Sequence, residues 1–148
     1  MSHVASVAAV IQSAVAPVFL LAGVGTTLNV LATRIGRIID RARVMEERLP
    51  TVDAAEASRL YARLRSLSKR ATLINRAIGL CTLCGLLVCL VVASLFVSAS
   101  LRIDLALPIA VIFVVALLSL AAALIYFLRE VFMATDSLSF GGVRQEKG

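Results

Sequence analysis

The sequence predicts an all-α integral membrane protein: three transmembrane helices, with an antiparallel helical hairpin on the cytoplasmic side between the first and second. Three observations carry this. The 148 residues are 60% hydrophobic and only 16% charged, with a mean hydropathy of +0.97, whereas a soluble domain is about 45–50% apolar. Three long stretches have no charge, and most of the basic residues are packed between the first two.

The uncharged runs are Val4 to Ala32, Ala77 to Leu101 and Leu105 to Leu128. A hydrocarbon core of about 30 Å needs roughly 20 residues of helix. In lipid the backbone must satisfy itself, and continuous rather than alternating apolar runs point to helices, not barrel strands. The first run reads as a span and not as a cleaved signal, because no basic region precedes it and it ends in arginines. The predicted layout is a single membrane domain: TM1 about 4–33, hairpin 34–76, TM2 about 77–101, TM3 about 105–128 and a tail 129–148.

Net charge is +6. Eleven of the fifteen Lys and Arg residues lie between Arg34 and Arg76, against five acidic ones. A basic block beside membrane spans is first a topology signal, not a nucleic-acid footprint, so no nucleic-acid partner is expected. The positive-inside rule puts this segment and the C-terminus in the cytoplasm, with the N-terminus and the short Arg102–Asp104 loop outside.

Within the hairpin, Ile35, Ile38, Ile39, Ala42, Met45 and Leu49 recur at helical spacing, as do Ala57, Leu60, Tyr61, Leu64, Leu67, Ala71, Ile74 and Ile78. Pro50 ends the first arm. Asp53 and Glu56 have capping-box spacing and start the second. If straight arms turn near Thr51, Arg76 stands level with about Thr26, which leaves Arg34 about 12 Å above that level. The membrane part of the first helix is then about 4–25. A kink at Pro17 is the alternative. Asp104 is placed to cap the third helix, with Pro108 in its first turn. The tail from Ser137 onward, with Gly141 and Gly142, is expected to be mobile.

Candidate functional residues are few. Arg34, Arg37 and Arg41 share one side of the first helix, and Asp40 has the spacing to pair with Arg37 or Arg43. That group reads either as a solvated, topology-fixing face or as an anionic-lipid or phosphate site. Asn29 and Arg76 complete a candidate polar cluster. Gln12, Gly23, Thr26 and Thr33, with Ala16, Arg37 and Asp40, form a rough stripe suited to helix packing or, in a ring, to lining a pore. Cys81-x-x-Cys84 sits inside an apolar run with no histidine near it. Ala77, Cys81, Gly85, Cys89 and Ala93 make an every-fourth small-residue stripe, a helix-packing signal rather than a redox or zinc site. Gly23 and Gly25 lack the context of a nucleotide loop. His3 is the lone histidine, so no metal set, no cofactor and no catalytic constellation is expected.

Pro17-Val-Phe-Leu-Leu-Ala-Gly23, then Leu28-Asn29, Arg34 and Arg37-Ile-Ile-Asp40-Arg41-Ala-Arg43, resemble an uncharacterised bacterial membrane family, catalogued as the domain-of-unknown-function family two-seven-two-one. The three-span layout is also similar. The resemblance implies a multi-pass protein of a bacterial inner membrane; it brings no activity, and it directs attention to Asn29, Arg34, Arg37, Asp40 and Arg41. The expectation is a non-enzymatic membrane protein that assembles with itself in the lipid bilayer. A homo-oligomeric channel or small-solute transporter lined by the first helix is the alternative, and a protein or enzyme acting on anionic lipid headgroups is the weaker one.

Overall fold

The computed structural model describes residues 2–101 and 103–142, with side chains from 8 to 134. Among the described residues the regular structure is all helical: α1 (Ser2–Arg48), a 3-10 turn (Leu49–Thr51), α2 (Ala54–Leu101) and α3 (Ala106–Gly142). All three α-helices are long and apolar enough to cross a membrane, and only 17%, 22% and 17% of their most apolar windows is buried by the protein itself. Surfaces this greasy need lipid as their solvent.

Local chemistry sets the breaks. Pro50 opens the 3-10 turn after Arg48, and Thr51 Oγ1 donates back to the Arg48 carbonyl at 2.8 Å. Asp53 Oδ1 then accepts the Glu56 amide at 2.8 Å, so the expected cap starts α2. At the other turn, Asp104 Oδ1 accepts the Ala106 amide at 3.1 Å, while Ser98 Oγ ties the Ile103 carbonyl back to α2 at 2.7 Å. Pro108 lies in the first turn of α3, where its missing N–H has no helical partner to lose. α1 is continuous through Pro17.

Two compact units emerge, one of Met1–Asn29 with Gly79–Ala123, the other of Val30–Ile78 with Leu124–Gly148. In the first, Ala14 and Val24 of α1, Cys81, Cys84, Val88 and Val91 of α2, and Ala116 and Ala123 of α3 are buried. In the second, the buried set is Leu31 and Ile38, then Leu60, Leu67, Ile74 and Ala77, then Glu130.

Along each helix the buried positions recur every seven residues: Val24, Leu31 and Ile38; Leu60, Leu67, Ile74, Cys81 and Val88; Ala116, Ala123 and Glu130. A 3.5-residue period keeps one face of each helix turned inward. It corrects two sequence expectations. The every-fourth stripe on α2 drifts off this seam: Ala77 and Cys81 are buried, but Cys89 and Ala93 are exposed, because four residues overshoot a turn by about 40°. Ile39 and Tyr61 likewise point outward, half or more exposed.

A third difference concerns the C-terminal end. The uncharged run stops at Leu128, but α3 continues to Gly142. The expected tail is therefore helical to that point, Ser137 to Gly142 included; residues 143–148, with Arg144 and Lys147, lie outside the described residues, as does Arg102.

Candidate functional site

The second unit holds one fully buried charged side chain among the described residues, Glu130. It occupies the seam position that Ala123 and Ala116 hold one and two heptads earlier. A bare carboxylate there would be prohibitive, and it is not bare. Arg34 Nη1 of α1 donates to Oε2. Arg70 of α2 donates to Oε1 twice, through Nε at 3.0 Å and Nη2 at 2.7 Å. Three helices are thus joined through one carboxylate, and among the described residues no buried side-chain nitrogen or oxygen lacks a partner.

The arginines are placed by the hairpin. Midway in sequence between Arg34 and Arg70 is Val52, inside the turn, so the two arms run antiparallel and bring these residues level. The Arg34 guanidinium also lies 5.1 Å from the centre of the Phe127 ring, within cation–π range. Arg70 is the more enclosed, with a side chain 15% exposed against 36% for Arg34. Six residues further along α2, Arg76 lies over the Tyr126 ring at 6.0 Å.

Beside this clasp is a groove of about 140 Å³ lined by Arg34, Arg37, Ile38, Arg41, Arg70 and Glu130. Arg37 and Arg41 reach it because they sit one and two turns beyond Arg34 on the same face of α1. Asp40 does not join them. It lines a separate groove with Arg41, Val44, Met45, Arg48, Leu60 and Arg63. The local pairing anticipated for it with Arg37 or Arg43 is absent among the described residues, where both ion pairs are made by Glu130.

Of the polar cluster read from the sequence, then, Arg34, Arg37 and Arg41 come together. Arg76 stands apart at Tyr126, and Asn29 is an exposed but engaged residue of the other unit. Thr33 is exposed and also engaged. Gln12, Gly23 and Thr26 are exposed in the first unit. Thr26 and Thr27 return their hydroxyls to the Ala22 and Gly23 carbonyls, at 3.0 and 2.9 Å. A Cβ on Gly23 or Gly25 would meet nothing within 4 Å, whereas one on Gly85 would reach Val24 at 3.8 Å. Within the chain, close helix approach is thus made at Gly85 and not at Gly23 or Gly25.

Sequence reasoning missed Arg70 and Glu130, the two residues that organise the site. Glu130 follows Arg129 at the end of an apolar run and reads as an interfacial tail. The available signal was the seven-residue spacing from Ala116 through Ala123, which places it on the packed face.

The sequence model of one family matches residues 14–140, which takes in most of all three helices and every member of the clasp. The chain belongs to the family described as Protein of unknown function (DUF2721). No curated protein and no solved structure matches it.

Proposed function

We propose that this DUF2721 protein is a non-enzymatic assembly module of a bacterial inner membrane, in which copies of the chain associate through the uncovered face of α1. The observation that carries the reading is the character of that face. Gln12, Ala16, Gly23 and Thr26 are exposed, and the space over Gly23 is open. Small and polar positions gain little from lipid and pack well against another helix. Eleven basic residues in the hairpin support a cytoplasmic hairpin and C-terminus, with the N-terminus outside. The Arg76–Tyr126 pair then marks the cytoplasmic interface, and the clasp stands beyond it.

The test is the oligomeric state of the full chain in nanodiscs and in mild detergent. A defined oligomer is expected in both. Gly23→Leu should abolish it while leaving the helical spectrum and unfolding midpoint intact, since the chain itself leaves room for the new side chain. A monomer in both media would overturn the reading. A pore is the second reading, because by helical spacing the same stripe continues to Thr33, Arg37 and Asp40. It requires ion flux in liposomes that changes with Asn29→Leu or Arg37→Ala.

A further inference from the structure

We infer that the groove over Glu130 is a binding site for a phosphate monoester, whether on a lipid headgroup or free in solution. Four guanidinium groups line it and one carboxylate answers them, an excess of three positive charges. Glu130 has both oxygens committed, to Arg34 and to Arg70. Neither oxygen accepts from Arg37 or Arg41, and no ion pair engages either among the described residues. A phosphate monoester, carrying about −1.5 to −2 at neutral pH, is the complement of that excess.

The donors are also fixed in advance. Arg34 is held by Glu130 on one nitrogen and by the Phe127 ring on its face; its Nε and Nη2 have no other partner among the described residues. Arg70 presents Nε and Nη2 inward and keeps Nη1. Planar guanidinium forks suit phosphate oxygens, and donors already ordered add little entropy cost on binding. So the buried glutamate has a second consequence: it orders two of the four arginines that line the groove.

Size narrows the ligand. About 140 Å³ holds several waters, which is room for a phosphate group while the rest of its carrier stays outside. Location admits both sources. Arg70 lies six residues, about 9 Å, beyond Arg76 on α2, and the headgroup layer is about 5–8 Å deep on each side. A protruding headgroup phosphate and an anion from solution can each arrive there.

A neighbouring groove serves as the internal control. It is lined by Lys69, Thr72, Leu73, Arg76, Arg129, Phe132 and Met133, so it is basic too, but without a buried carboxylate ordering its cations.

The experiment uses the full chain in detergent micelles doped with phosphatidic acid or phosphatidylcholine, with bound lipid counted by native mass spectrometry. A parallel arm titrates inorganic phosphate in lipid-free micelles. The variant is Arg37→Gln with Arg41→Gln, which leaves both Glu130 pairs in place; circular dichroism checks its fold. Retention of phosphatidic acid over phosphatidylcholine is expected, falling at least about tenfold in this variant and within about twofold of wild type in Lys69→Gln with Arg129→Gln. Binding of inorganic phosphate alone, with the same variant pattern, assigns the site to a soluble anion and also supports it. The proposal is overturned by retention of phosphatidic acid no better than phosphatidylcholine together with no binding of inorganic phosphate, by undiminished binding in the Arg37/Arg41 variant, or by equal losses in both double variants.

Discussion

Glu130→Leu is the perturbation that speaks most directly to how the three helices are held. It places an apolar side chain at a seam position, so on packing grounds alone it should be tolerated. Its effect comes through the arginines. Glu130 accepts three hydrogen bonds from charged donors, each of a kind worth about 1.5–3 kcal/mol when broken in a protein. They do not simply add, because Arg34, with its side chain 36% exposed, can turn toward water, and its share is discounted for screening. Arg70, 15% exposed, has less escape and loses two of the three bonds. Breaking a buried pair from one side costs about 3–5 kcal/mol, and the lower end is expected here. Unfolding in mixed dodecylmaltoside and dodecyl sulfate micelles, followed by circular dichroism, reads this as a lower midpoint. The companion variant, Arg34→Met with Arg70→Met and Glu130→Leu, removes every charge that needs a partner and should return to within about 1 kcal/mol of wild type. An unchanged midpoint for Glu130→Leu, or a triple variant as weak as the single, would refute the view that unpaired arginine and not lost volume sets the cost.

The clasp also predicts an asymmetry: Arg70→Gln should lower the unfolding midpoint more than Arg34→Gln, and a double-mutant cycle between either and Glu130→Gln should show coupling. Asp53→Ala removes the cap on the Glu56 amide and should cost about 1 kcal/mol by the same unfolding assay, with Asp53→Ser near wild type. Leu31→Ala, at a side chain with no exposure, should cost about 2–5 kcal/mol. Val88→Ala, equally buried, should cost less, because it removes two carbons rather than three and, inside a lipid-facing bundle, forfeits packing contacts but little transfer from water. In nanodiscs, Gly23→Leu should dissociate the assembly without shifting the unfolding midpoint of the released monomer.

Much of this architecture was legible from residue order because its causes are local. Uncharged runs long enough for lipid, a proline that cannot continue a helix, and aspartates one or two residues ahead of helix starts each act within a few positions. The same holds for the meeting of Arg34, Arg37 and Arg41, which needs only a helical period.

What the sequence by itself determined is the set of three long helices, their breaks at Pro50 and before Ala106, and membership of the DUF2721 family. What only the tertiary structure decided is which charge is inside. Arg34 and Glu130 are 96 residues apart and Arg70 and Glu130 are 60 apart, and no spacing rule reaches across such distances. Glu130 reads as surface until α1 and α2 are packed against α3, because a buried carboxylate is stable only where two guanidinium groups from other helices are delivered to it. The same packing turned the basic arm of α1 from a face of solvated charge into one wall of a groove with a fixed floor.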